Sequence, residues 1–254
     1  MIAALRPDLS TPARPADPNS WDALYVRAFL WLRTLVGALG IALPVVVILV
    51  DKFVFEESPF PRGSVSVYYY SGVRDLFVAI LSATGVFFIA YKVSEKTLEN
   101  TLSLAAGALA LLIPLFPTLR PSKDIPLTPL QRLLGDHTVW VVHFVASAGF
   151  LLALMGISFM FGWRERGRER RQGQRFSPTF WSRYHFICAA AMALALIWIV
   201  ATLSAHWPPD ALLAGEWVTA WAFGASWLMK GLELDTLRKK PRRPDGAAAA
   251  VRPA

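Results

Sequence analysis

Cysteine is almost absent from this sequence, and the one residue, Cys188, lies inside an apolar run. A single thiol excludes an intrachain disulfide framework and any metal centre built from thiolates. Histidine is scarce too, with four residues in 254. His137 and His143 do not have the i, i+4 spacing of a helical zinc site and would lie on nearly opposite faces of a helix. No G-x-S-x-G, no phosphate-binding G-x-x-x-x-G-K-[ST] and no Cys/His nucleophile pair occurs, so common hydrolase and nucleotide-binding readings have no motif to rest on. Charged residues make up 17% of the chain against 55% apolar ones, and the mean hydropathy of +0.42 points away from a water-soluble core. The net charge of +8 sits in short basic blocks beside apolar runs, without any nucleic-acid-binding pattern, so nucleic acid is not an expected partner. Pro7, Pro12, Pro15 and Pro18 occupy the region where a signal peptide would be apolar, and no cleavage is expected.

What is present are six apolar stretches near the length of about 20 residues that a spanning helix needs: 33–51, 74–92, 101–119, 138–162, 184–204 and 212–232. Pro114 and Pro117 weaken the third, although prolines near a helix end are tolerated where neighbours satisfy the freed carbonyls. Lys and Arg set the direction: with the N-terminus inside, 20 fall in cytoplasmic segments and 6 on the opposite side. The expected fold is therefore all-α, a polytopic transmembrane bundle of six helices with both termini cytoplasmic. Residues 1–32 form a cytoplasmic N-terminal segment with a short interfacial helix, and 33–232 form the membrane domain. Residues 233–254 form a disordered basic cytoplasmic tail near anionic lipid. The first outer loop, 52–73, carries Ser64, Ser66 and Tyr68-Tyr69-Tyr70, which read as an aromatic belt at the membrane surface. The run from Arg164 to Arg171 reads as an orienting charge block.

Ionisable residues inside spans are costly unless paired or hydrated, which makes them the first place to look for function. In this topology the second, fourth and sixth helices all begin at the outer face with polar groups in their first turns: Arg74 and Asp75, His137 and His143, and Glu216. At 1.5 Å per residue, His143 lies roughly 8 Å and Glu216 roughly 6 Å below the start of their spans, where each needs a partner. Asp75 also suits the helix dipole of its own first turn, and Asp136 and Asp210 suit N-caps. His137, His185 and His206 read as interfacial. Trp207, Trp217 and Trp221 could wall a pocket at the outer face.

Ser64-Val65-Ser66, Tyr68-Tyr69-Tyr70 and Arg74-Asp75-Leu76-Phe77-Val78, entering a helix that ends Tyr91-Lys92, resemble a group of uncharacterised bacterial six-span membrane proteins. The likeness continues through Pro114-Leu115-Phe116-Pro117-Thr118, His143, Glu216 and Ala222-Phe223-Gly224-Ala225-Ser226-Trp227-Leu228. A more distant likeness is to the DRAM/Frag/Sfk family, with a His opening the fourth helix and Glu-Trp in the sixth. The resemblance implies six spans in a bacterial inner membrane and singles out His143 and Glu216, but it names no substrate. The His-x-x-x-His motif of the ceramidase and adiponectin-receptor superfamily is absent. The leading expectation is a non-enzymatic membrane protein, without metal or cofactor. It would bind a lipid, a small amphiphile, a partner subunit or a second copy of itself through an outer pocket of Arg74, Asp75, His143 and Glu216. Alternatives are a lipid hydrolase using the same carboxylate and His groups, and a passive bundle.

Overall fold

The computed structural model describes residues 21–56, 60–90, 97–171, 180–205 and 209–239, and among them every regular element is helical. Residues 1–20 of the expected N-terminal segment, most of the basic tail, His206, Trp207 and Tyr91-Lys92 fall outside the described residues. The long helices are α1 (Trp21–Val50), α2 (Arg74–Ala90), α3 (Leu98–Leu115), α5 (Asp136–Arg171), α6 (Phe180–Ala205) and α7 (Pro209–Lys239), with a short α4 (Pro129–Leu134) before α5. The expected interfacial lead-in and first span are one uninterrupted helix, α1, which runs into a wider π turn at Asp51–Phe55. Four segments are long and apolar enough to cross a membrane: Leu30–Phe55, Leu98–Leu115, Asp136–Gly167 and Phe180–Ala205. Helix α2 has 17 residues, and α7 is interrupted by Glu216, Thr219, Ser226, Lys230 and three tryptophans.

These helices close a ring. Each packs against its neighbour in the order α1, α2, α3, α5, α6, α7, and α7 returns to α1. Two crossings are close because glycines face each other there. A Cβ on Gly107 would lie 2.7 Å from the Gly85 carbonyl oxygen, and one on Gly224 would lie 2.8 Å from that of Gly37. Removing a side chain lets the backbones approach, which is how helices gain van der Waals contact where burial from water offers little. Inside the ring an aromatic core joins Phe88, Phe161, Phe223 and Trp227, with Phe88 and Trp227 ring centroids 5.2 Å apart.

One end of the ring is capped. A 3₁₀ helix at Val65–Tyr70 begins where the Ser64 hydroxyl accepts the Ser66 N–H at 3.1 Å. Its Tyr68 and Tyr69 are buried in a core with Val47, Phe77, Leu81 and Ile113. The expected aromatic belt is therefore corrected: Tyr68, 0% exposed, packs inward because the 3₁₀ turn points it into the mouth of the bundle. Asp51 and Arg62, both buried, join the end of α1 to this cap at 3.1 Å. Tyr70 is tied by its hydroxyl, which donates to Thr118 O at 2.6 Å and accepts from Gln131 Nε2 at 2.8 Å. Gln131 is itself fixed by a capping box with Thr128, so α4 acts as a latch on the cap.

Candidate binding site at the capped end

Glu216 lies in the second turn of α7 and points under the 3₁₀ helix. Its Oε2 accepts the Val65 N–H at 2.5 Å, and the Ser64 side chain is hydrogen-bonded to the same carboxylate. A carboxylate set against the first N–H of a helical turn satisfies a donor that has no partner within the helix. The expectation that Arg74 shares a pocket with Glu216 is thus corrected. Arg74 instead lies over the Tyr69 ring, 4.5 Å from its centroid, and donates to the Tyr69 hydroxyl at 2.6 Å. Asp75 is exposed in the first turn of α2.

His143 is buried between α5 and the end of α3. Its Nδ1 donates to Phe116 O at 2.8 Å and to Ile113 O at 3.2 Å. The reason is legible in the chain: the Ile113 carbonyl would normally accept from residue 117, which is proline and has no N–H. His143 supplies the missing donor. Carbonyls only accept, so Nδ1 carries the proton. In the neutral ring Nε2 then keeps its lone pair for whatever lies beside it.

Glu216 and His143 meet around space. A cavity of about 160 Å³ between α5, α6 and α7 is lined by both residues and by Ser64, Ser66, Trp140 and Ser147. A second, of about 110 Å³ inside the ring, shares Ser66, Ser147, Leu151 and Glu216 with the first. Arg74 and Asp75 line neither. Trp217 and Trp221 meet edge to face instead, with ring centroids 5.6 Å apart, and among the described residues Trp140 is the tryptophan at the wall. The Ser147 hydroxyl is buried without a hydrogen-bond partner among the described residues. Native interiors seldom leave such a group unsatisfied, so it marks a place where water or a ligand completes the wall. Burial pushes the Tyr70 phenol of the latch up to about 12, with Gln131 opposing the shift. Asp136, expected as an N-cap, is the first residue of α5, where Arg120 and Gln131 hold its carboxylate.

The opposite end holds a polar layer that sequence reasoning passed over. Lys230 of α7 pairs with Glu165 of α5, and Arg164 with Glu99 of α3. Arg33 of α1 lies over Phe161 and Trp227 at 4.8 and 5.3 Å from their centroids. His185, expected at the interface, is 0% exposed and hydrogen-bonds Ser226 at 2.9 Å. Arg33, Arg164 and Lys230 had been counted only as charges that orient the chain. The available signal was the placement of Arg33 and Lys230 within, rather than beyond, the apolar stretches, together with Glu165 as a partner of opposite sign; Arg164 lies just past the end of its stretch and carried no such mark. Among the described residues no three His, Cys, Asp or Glu side chains gather as a metal site would require. No family model, curated protein or solved structure matches the chain.

Proposed function

We propose that the protein is a six-span membrane protein that binds an amphiphile at the capped end, with the polar head at Glu216, His143 and Ser147 and the chain in the adjoining apolar space. The observation that carries this reading is the convergence of a carboxylate, an imidazole and three serine hydroxyls on two cavities whose remaining walls are apolar apart from Thr84 and Thr118. Small-molecule sites have that composition, mostly hydrophobic with a few placed polar groups. Helices α2 and α7 are flanked in the ring by helices apolar enough to span, which supports counting both as spans. Of the four residues expected to form the pocket, His143 and Glu216 remain in it.

Filling the shared wall tests the proposal. Ser147→Phe introduces a ring where the two cavities adjoin, and native mass spectrometry of protein purified in mild detergent should show bound lipid on the wild type and little on the variant. Equal lipid occupancy in both would remove the pocket as the binding place. A second reading, a lipid hydrolase, draws on the contact between the Ser64 hydroxyl and Glu216, since a carboxylate beside a hydroxyl can act as its base. Labelling of Ser64 by a fluorophosphonate, lost in Glu216→Gln, would favour it.

A further inference from the structure

We propose that this pocket selects amphiphiles whose head groups donate hydrogen bonds and carry no negative charge, such as glycerol or amine heads, and excludes phosphate, sulfate and carboxylate heads. This rests on the binding reading above and concerns its chemistry. The wall is rich in acceptors. Glu216 offers only acceptor oxygens when ionised, and in the neutral ring of His143, which lines the larger cavity, Nε2 is an acceptor because the proton is on Nδ1, committed to Ile113 and Phe116. The hydroxyls of Ser64, Ser66 and Ser147 donate or accept as needed.

Among the described residues, the side chains around the two cavities include no lysine or arginine. Three cations of the capped end are engaged elsewhere: Arg62 with Asp51, Arg120 with Asp136, and Arg74 with Tyr69. Recognition of an anionic head relies on such groups, Arg above all. An anion placed beside the ionised Glu216 carboxylate in a poorly screened site would instead be repelled, and at an effective dielectric of about 20 this weakens binding to that form by about a hundredfold for charges roughly 6 Å apart.

The route of the chain follows from the other wall. Phe144 of α5 and Val200 and Leu203 of α6 line the larger cavity and are also exposed on the outer surface of the bundle. The cavity therefore reaches the lateral face between these helices, where hydrocarbon chains lie in a bilayer. An amphiphile can keep its head at Glu216 and leave its tail among lipid.

Trp140 supplies the readout, because it lines this cavity and bromine atoms quench indole fluorescence at contact. Three probes with one dibrominated C18 chain and a glycerol ester, amine or sulfate head are titrated into the protein in nanodiscs of neutral lipid. The signal assigned to Trp140 is the quenching lost in Trp140→Phe. The glycerol and amine probes should quench Trp140 at apparent Kd values at least tenfold below that of the sulfate. In Glu216→Gln, checked for an unchanged melting profile, that discrimination should shrink, with the sulfate gaining affinity. Sulfate binding as tight as the others in the wild type would overturn the head-group selection while leaving the pocket intact. Failure of all three probes to quench Trp140 would overturn both the selection and the binding reading.

Discussion

Lys230 is 7% exposed and its ammonium meets the Glu165 carboxylate, itself buried, beside the Phe161 ring. Taking two charges out of water costs several kcal/mol each, and their attraction offsets that cost only while both are present. Removing one should therefore hurt more than removing both. Lys230→Met or Glu165→Leu alone is expected to destabilise the bundle by about 3–5 kcal/mol, a loss on the order of 10 °C in detergent melting temperature. The double variant should recover a large part of it, and strictly additive losses would show that the two side chains do not depend on each other. The same reasoning applies to Glu216 and Arg74, which the sequence places in one outer pocket. Glu216 is held by Val65 and Ser64 rather than by Arg74, so Glu216→Gln and Arg74→Met should combine additively, as a double-mutant cycle on melting temperature would reveal. At this scale the sequence shows which residues are costly to bury, because an ionisable side chain within an apolar run stands out. It does not show their partners. Glu216 found a backbone N–H more than a hundred residues away, and backbone donors leave no mark in a sequence.

Elements are held together by what their surfaces omit. At the α2–α3 crossing, Gly85 and Gly107 each lie within 3 Å of the other's carbonyl oxygen once a Cβ is imagined, so the backbones are as close as unsubstituted α-carbons allow. Gly107→Val has no room and must push α2 away, which withdraws the Ser103 hydroxyl from the Phe88 carbonyl it now meets at 2.8 Å. A loss of about 1–3 kcal/mol is expected from overpacking. It should appear as a lower melting temperature, whereas Gly167→Val should be nearly silent because nothing among the described residues lies within 4 Å of its Cβ position. Equal effects at the two positions would mean that the crossing is not a tight contact. The helices themselves were legible from their apolar length. Their ends were less so: α3 stops at Leu115 rather than 119, since Pro117 denies it a further hydrogen bond. The cap at Val65–Tyr70 was missed as a helix because its early alternation imitates a strand and only three-dimensional closure over the bundle buries its tyrosines. Pro117 and His143 were each noticed, but their relation required knowing that α3 ends against α5.

For the whole molecule the decisive question is how it lies across a bilayer, and the two polar ends bear on it differently. Orientation is set by Lys and Arg near span ends and exposed to the translocation machinery or to lipid headgroups, so buried residues should not be counted. Arg33 and Lys230 on one side and Arg62 on the other are buried within the protein. Setting them aside reduces 20 against 6 to 18 against 5, and the asymmetry stands. The capped end, with its longer connections and few basic residues, should then face outward, and the end carrying Lys230, Glu165 and the run after Arg164 should face the cytoplasm. Ser122 is exposed in the connection between α3 and α4, so in the naturally cysteine-poor chain, with Cys188 replaced by Ala, Ser122→Cys should react with an impermeant maleimide added to intact cells. A cysteine at Gln172, between α5 and α6, should react only after the membrane is opened. Labelling of Gln172→Cys in intact cells with Ser122→Cys protected would invert the orientation and place the pocket of Glu216 and His143 in the inner leaflet. Labelling of both would show that α5 does not cross at all. Its 32 residues from Asp136 to Gly167 reach roughly 48 Å at 1.5 Å each, against a hydrocarbon core of about 30 Å. That length makes a full crossing with room for tilt the expected result.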